Sequence, residues 1–303
     1  MRRVSRSGRV VDGRAATRIG TRFDIVSERE NHVSVSTSPS APSYSFSNDD
    51  VEAVDRHNYL GEMLDGVTIA RLSSLGELAG KRFLEFGAGG GSIAGWMADQ
   101  AGPTGRVLAT DINPRLIRAH PGVEVLRHDL VNEPIPPGPW DVIHGRLVLL
   151  HIAEREEIFG RLCAALAPGG VLLLEEWQTT FRRLVLAAPD AESAALIDLY
   201  QDTLIDKIMP FRGNDPTWAG RVHSAMLDAG LTDVDTAISA QSWPGGTAGA
   251  LIIAANIAQL RDEFIKAGMT AGQLDEVCRL VTDPRLVLRS HFTYSTMGRR
   301  AEG

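Results

Sequence analysis

Three carboxylates and three glycines stand where a nucleoside can be gripped. Glu85 precedes Gly87, Gly89 and Gly91 in the run R-F-L-E-F-G-A-G-G-G at 82–91; Asp111 lies 26 residues after Glu85, and Asp129 follows in H-D-L. A short apolar run ahead of each acid makes it the end of a strand. A strand turning through glycines into a helix is how open α/β sheets present a nucleotide-like ligand at the carboxyl ends of their strands. At the second strand end a carboxylate can take both hydroxyls of a ribose. After the third, one can accept a hydrogen bond from an adenine amino group. Three acids make a poor pyrophosphate site: Glu85 repels a phosphate and attracts an ammonium. The pattern therefore points to a nucleoside carrying a positively charged amino-acid tail, not to a dinucleotide.

The elements that must hold these groups read as a doubly wound α/β sheet. Strands are expected at 82–85, 106–110, 124–127, 141–144 and 171–174, with helices at 92–99, 115–119 and 153–166 between them. Apolar runs such as V-L-L-L imply parallel strands covered on both faces. The P-I-P-P-G-P run at 134–139 forces a surface loop. Further helices are expected at 191–209, 215–228, 249–266 and 270–280, and strands at 234–240 and 288–297. Ahead of the sheet, Val51, Val54, Tyr59, Met63 and Leu64 fall at helical spacing behind the cap candidates Asn48-Asp49-Asp50. Gly61 and Gly66 interrupt that pattern, predicting two short helices, with another amphipathic element at 67–78.

On these motifs the stretch 75–177 resembles a class I S-adenosylmethionine-dependent methyltransferase of the bacterial small-molecule, natural-product type. L-E-F-G-A-G-G-G-S is similar to the family's glycine-rich motif, which implies that Glu85 orients the cofactor's amino group, directly or through water. Gly87, Ala88, Gly89 and Gly91 would form the turn against its methionine part. A-T-D-I-N-P resembles the second-strand acid motif, with Asp111 for the ribose, Ile112 against adenine and Asn113 beside it. H-D-L places Asp129 at the adenine edge with Leu130 next to it. W-D-V-I-H-G-R-L-V-L-L-H-I resembles the fourth-strand motif, in which Arg146 begins the segment closing over the methionine end, and A-L-A-P-G-G-V-L-L-L-E-E resembles the approach to strand five. The resemblance implies a Rossmann-like, seven-stranded, mostly parallel sheet whose last strand runs antiparallel, paired as a hairpin with the strand at 234–240. N-terminal helices at 48–80 would act as lid or dimerisation segment, and a helical insertion at about 178–230 would bind the acceptor.

The acceptor is less legible. The N/D-P-P-Y/F pattern of DNA or protein-glutamine methylation is absent, its place being taken by His144-Gly145-Arg146, and there is no ordered set of acidic metal ligands, so no metal is expected. The segments expected to shape the acceptor site carry Tyr59, Met63, Trp177, Phe181, Leu184, Tyr200, Ile208, Met209, Phe211 and Trp218, a lining suited to an apolar or aromatic small molecule. His151, shortly after strand four, is the first candidate for a general base and Glu176, past strand five, the second; His223 and His291 are weaker candidates. Tyr59 and His57 are placed to close the cofactor pocket from above. Arg146 reads as an organiser of the closing loop, and Trp96 as packing.

Composition bounds the partners. The 303-residue chain has 44% hydrophobic residues and a formal charge of -7, which disfavours a nucleic-acid partner. Cys163 and Cys278 read as isolated reduced thiols. No apolar run is long enough for a membrane span, and the M-R-R start lacks a secretory h-region, so a cytoplasmic protein is expected. Residues 1–47 form a separate tail: residues 1–29 hold eight arginines against three acids, and a Ser-rich run follows. Such a segment buries too little apolar area to offset its ordering entropy. A transit peptide and an artefactual upstream extension are the alternatives for it, while Tyr44 and Phe46 are the first residues expected to dock on the fold. An amphipathic N-terminal segment is compatible with a homo-oligomer or a monomer. The rival readings are an NAD-dependent oxidoreductase, which Glu85 and Asp129 oppose, a methyltransferase acting on RNA or protein, and a cofactor-keeping fold with other chemistry or none.

Overall fold

The structure, a computed structural model, describes residues 52–303. The expected tail, the docking of Tyr44 and Phe46, and the cap candidates Asn48 to Asp50 lie outside these residues. The chain runs α1 (Glu52–Ser73), β1 (Arg82–Phe86), α2 (Ser92–Ala101), β2 (Arg106–Asp111), β3 (Val123–Arg127), β4 (Trp140–Arg146), α3 (Arg155–Ala164) and β5 (Leu166–Gln178). It continues through β6 (Val185–Ala187), α4 (Ala191–Asp202), α5 (Trp218–Asp228), β7 (Thr232–Ser239), β8 (Ser242–Pro244), α6 (Ala248–Lys266), α7 (Ala271–Leu280), β9 (Val287–Arg289) and β10 (Phe292–Arg299).

Seven strands form one sheet in the order β3-β2-β1-β4-β5-β10-β7. β1 to β5 are mutually parallel, and β10 runs antiparallel to both β5 and β7. This is a Rossmann-like, doubly wound sheet, with its strand order reversing between β1 and β4, the place where such sheets bind ligands. The expected antiparallel last strand is present. It is not joined to β7 by a hairpin, because α6 and α7 intervene. The residues at 288–297 also divide: Val287–Arg289 pairs into a small sheet of order β6-β9-β8, and Phe292–Arg299 enters the main one.

Alternation along the strands separates two faces. Leu84, Phe86, Ile143, Leu172 and Leu174 pack in one buried cluster with α3 and α5; Phe83, Val142 and Leu173 pack in another with Ile93, Ala94 and Met97 of α2. β1, β2, β4 and β5 thus carry apolar side chains on both faces, as covered parallel strands do. The edge is different. The helix expected at 115–119 is only a 3₁₀ turn, Pro114–Leu116, so β3 lacks cover and leaves Val125 46% and Leu126 42% exposed.

Three other expectations are corrected. α1 is continuous through Gly61 and Gly66, because its buried Ala53, Leu60, Met63, Leu64 and Leu72 anchor it to the rest of the chain. That burial outweighs the roughly 1 kcal/mol cost of each helical glycine. It also packs along α6 of the same chain. β5 begins at Leu166, ahead of the strand expected at 171–174, and runs through Pro168-Gly169-Gly170. The helix expected over 191–209 ends at Asp202 and continues as a π-helical stretch, Thr203–Ile208. Cys163 and Cys278 are free thiols, half-buried, and burial pushes Cys163 up to about 12. Among the described residues no helix is long and apolar enough to cross a membrane.

Candidate functional site

At the carboxyl end of β1 the chain enters the glycine turn in the left-handed region: Gly87 has φ 63° and Gly89 φ 56°. A side chain at either would collide with what lies over the turn. A Cβ at Gly87 would stand 2.3 Å from Val148 Cγ2, and one at Gly89 2.8 Å from the His57 ring. The turn is pinned from β2, where Asp111 Oδ2 accepts from Gly89 N at 3.0 Å and Oδ1 from Asn113 N at 2.9 Å. Burial raises the Asp111 carboxyl, against the lowering effect of those backbone donors. Gly91 begins α2 as its N-cap.

Above the turn lies a cavity of about 660 Å³. Its walls include Glu85, Gly87, Ala88 and Gly89 from the first strand end, Asp111 and Ile112 from the second, and Asp129 and Leu130 after the third. Arg146, Val148 and His151 come from the fourth, and α1 lays Arg56, His57, Gly61 and Asp65 along the roof. Asp129 is fixed by its own loop: Oδ1 accepts from Val131 N and Oδ2 from Asn132 Nδ2 at 2.8 Å, and the Asn132 side chain foremost holds the carboxyl below its usual range. Arg146 ties β4 to the roof, donating to Thr68 Oγ1 at 2.9 Å and to Asp65 Oδ1 at 2.8 Å. Burial, with Arg56 and Arg146 nearby, takes His57 down to about 4, so it sits on the glycine turn as a neutral ring.

A methyltransferase-domain family model matches residues 56–215, more than half of the 303-residue chain. The chain belongs to the methyltransferase domain family. Over 110 residues it is 39% identical to the methyltransferase str2 of Strobilurus tenacellus, covering 34% of this chain and 39% of that protein. Over 134 residues it is 28% identical to the ubiquinone/menaquinone biosynthesis C-methyltransferase UbiE of Pseudomonas putida, covering 41% and 52%. The chain thus spans about two fifths to half the length of these curated relatives. Among solved structures, a cyclopropane-fatty-acyl-phospholipid synthase-like protein from Lactobacillus casei matches with a TM-score of 0.49 and 15% identity, over 85% of this chain and 95% of that one.

Within this methyltransferase domain, four of the sequence-derived site residues do not line the cavity. Tyr59 is half-buried and packs into the core, so His57 alone of the expected pair closes the pocket. Gly91 N donates to Ala88 O at 2.8 Å and Asn113 N to Asp111 Oδ1 at 2.9 Å, so both brace the turn through their backbone. Glu176, the second candidate base, is buried under the loop after β4, where Oε1 accepts from Leu149 N at 2.8 Å and Leu150 N at 3.4 Å. It supports the short turn that carries His151. Burial pushes Glu176 up to about 8, well above an ordinary carboxyl.

That shift has a sign that can be checked. Between the unfolded glutamate value of about 4.3 and the folded value, the native state holds a proton that the unfolded chain releases. The stability contributed here is full below pH about 4.3 and declines as pH rises towards 8. Melting curves should therefore show a smaller loss in Tm between pH 5 and 8 for Glu176→Gln than for the unaltered protein; parallel curves would contradict this assignment.

His151 does line the cavity. Its Nδ1 accepts from Asn214 Nδ2 at 3.1 Å, so in the neutral ring the proton sits on Nε2. Burial first, and then Arg56 and Arg155, takes the imidazole down to about 3. A ring so reluctant to be protonated is a weak base. The weaker candidates are structural: His223 contacts Thr236 Oγ1 at 2.8 Å and His291 contacts Gln201 Nε2 at 3.0 Å, neither at the cavity wall.

None of the ten side chains expected to line the acceptor site borders this cavity. Met63, Leu184, Ile208, Met209 and Trp218 are buried in the core, and Tyr200 stacks on Phe264 at 5.0 Å. Trp177 hydrogen-bonds Thr293, Phe181 sits edge-on to Phe292, and Phe211 is 87% exposed. For the buried ones the apolar character serves packing, which composition alone cannot separate from pocket lining. The cavity's apolar wall comes instead from Leu60, Phe86, Leu147, Val148 and Ile152.

The sequence reading also passed over a row of polar groups beneath the cavity. His144 is fully buried, with Nδ1 3.4 Å from Glu85 Oε1 and Nε2 3.4 Å from Glu175 Oε2. Glu175 accepts in addition from Thr68 Oγ1 and from Ser295 Oγ, the latter at 2.7 Å. Alternation with the apolar Phe83, Val142 and Leu173 was the available signal: each polar residue lies two positions beyond an apolar one on the same face. Among the described residues no cluster able to hold a metal ion occurs.

Proposed function

We propose that the protein transfers the methyl group of S-adenosylmethionine to an oxygen, nitrogen or carbon of a small apolar or aromatic molecule, in the manner of secondary metabolism. One observation carries the cofactor assignment. Glu85 lines the cavity while 5% exposed, and its Oε2 is buried without a hydrogen-bond partner among the described residues. An unsatisfied buried carboxylate oxygen is costly, and an ammonium is the group that would relieve it. The rest of the donor set fits the same ligand. Gly87 and Gly89 offer backbone with no Cβ in the way. Asp111 stands on the cavity wall with its carboxylate held by backbone N–H groups of the turn, where a ribose hydroxyl would meet it. Ile112, half exposed on the cavity wall, offers an apolar surface to a base, and Asp129 and Leu130 stand at the far end.

When bound, the cofactor supplies an electrophilic methyl on a sulfonium. The chain's own residues position and exclude. α1 roofs the cavity, Arg146 fastens that roof to β4, and the neutral His57 and His151 rings add no cationic charge beside a sulfonium. Neither candidate base is suited to remove a proton at neutral pH: Glu176 is outside the cavity and His151 titrates far too low. The acceptor therefore arrives already nucleophilic, as a free amine, an ionised phenol or enol, or an electron-rich carbon.

It follows that the pH dependence of kcat/KM should track the acceptor's own ionisation. His151→Asn should lower the rate by about tenfold through lost positioning, leaving the acidic limb of the profile in place; a limb that disappears in the variant would restore His151 as the base. The reading itself is tested with S-adenosylmethionine labelled in its methyl group, offered with a panel of aromatic and apolar small molecules, RNA and protein. Label entering the small molecules supports the proposal, and label entering only RNA or protein overturns it.

A further inference from the structure

We propose that His144, held between Glu85 and Glu175 across the middle of the sheet, is a positioning residue that keeps Glu85 turned to the ammonium of the cofactor, and that Glu175 and Thr68 join this support to the roof helix α1. The inference rests on the cofactor assignment above and deepens it.

The sheet register makes the arrangement. Glu85 on β1 stands directly opposite His144 on β4, and Glu175 on β5 stands opposite Ser295 on β10. Each of these polar residues follows, two positions along the same face, an apolar layer of Phe83, Val142, Leu173 and Met297. The side chains are thus held on rigid strands rather than loops. Burial works against a charged imidazole, but the carboxylates of Glu175 and Glu85 prevail and raise His144 above its ordinary value. Burial works to raise Glu175, but His144, with Arg146 and Thr68, holds it low. As an imidazolium, His144 is hydrogen-bonded to Glu175 through Nε2 and holds Glu85 by charge, its Nδ1 standing 3.4 Å from Oε1 without a hydrogen bond between them.

The charge sum explains why such a row suits the ligand. Glu85 and Glu175 bring two negative charges and His144 one positive. Arg146 and Asp65 cancel each other in their ion pair above, and Arg71 on α1 is paired with Asp235. The cluster carries one uncompensated negative charge, and its orphaned oxygen, Glu85 Oε2, is buried on a residue of the cavity wall. A single ammonium neutralises it. Without His144 to fix Oε1, the carboxylate loses its anchor from below. Glu175, in turn, is held from α1 by Thr68, whose hydroxyl also accepts from Arg146. A displaced roof would thus disturb the support of Glu85 as well as the cavity wall.

The test uses two ligands that differ in the part His144 serves. S-adenosylhomocysteine carries the ammonium; 5′-methylthioadenosine has the same nucleoside and thioether without the amino-acid tail. Calorimetric titration of His144→Gln should show S-adenosylhomocysteine weakened at least tenfold and methylthioadenosine within about twofold of the unaltered protein, since a lost charge-assisted contact acts only on the ligand that makes it. Glu175→Gln should show the same selectivity with a smaller loss. An equal loss for both ligands, or none for either, overturns the proposal. Should His144→Gln fail to fold, the unaltered protein still decides: ¹⁵N-histidine spectra at pH 7.5, assigned through Glu175→Gln, should show both His144 ring nitrogens protonated, and a neutral ring overturns it. If the unaltered protein binds neither ligand, the cofactor assignment itself has failed; binding of both with loss of selectivity in the variants isolates the role of His144.

Discussion

Glu85→Gln should weaken S-adenosylhomocysteine binding by about 2–3 kcal/mol, roughly 30- to 150-fold, while the protein remains folded. The substitution keeps the shape of the side chain and removes its charge. Its amide still fills the space beside His144 Nδ1, which stands 3.4 Å from Glu85 Oε1, so the row loses an ion-pair contact without gaining a void. The orphaned carboxylate oxygen is replaced by part of an amide with no net charge for an ammonium. His144 keeps Glu175 as a counter-charge, 3.4 Å from its other nitrogen. The stability cost should therefore be below the 3–5 kcal/mol typical of breaking a buried pair outright. Calorimetry and urea denaturation separate the two effects. Unchanged affinity in a folded Glu85→Gln protein would remove the ammonium site from this account.

The second large effect is expected at Gly87. Alanine there must adopt φ near 63°, at about 1 kcal/mol for an L-residue, and its Cβ would sit 2.3 Å from Val148 Cγ2. Valine is branched at Cβ and cannot swing a flexible tip aside, so the backbone of the loop after β4 or the turn itself has to move. Gly87→Ala should cost about 2–4 kcal/mol of stability and weaken cofactor binding at least tenfold, because both displaced segments line the cavity. Combining it with Val148→Ala should recover the steric share and leave the backbone strain. A double variant no better than Gly87→Ala would mean that the contact with Val148 is not the limiting one.

The gathering of Glu85, Gly87, Asp111 and Asp129 on one cavity was legible because each belongs to a local strand-end motif. Gly87, Gly89, Asp111 and Asp129 each follow a strand, and the strand ends converge wherever a parallel sheet forms. His144 and Glu175 became a unit only through register between β1, β4 and β5, which no local pattern displays. The acceptor lining failed for a related reason. Tyr200, Met209 and Trp218 look the same in sequence whether they border a pocket or fill a core, and tertiary packing put them in the core. The N-terminal helix was misdivided because Gly61 and Gly66 lower helix propensity by an amount that the packing of α1 on α6 offsets. The β5 boundary slipped because Pro168-Gly169-Gly170 reads as a breaker, yet Gly169, at φ 73°, lets the strand pass through it.

The central claim is that the glycine turn and its three acids hold a cationic nucleoside and not a pyrophosphate. The most direct measurement is a parallel calorimetric titration of the protein with S-adenosylhomocysteine and with NAD. Saturable one-site binding of S-adenosylhomocysteine is expected, with a Tm that rises with its concentration, and no heat of binding from NAD. Binding of NAD without binding of S-adenosylhomocysteine would contradict it.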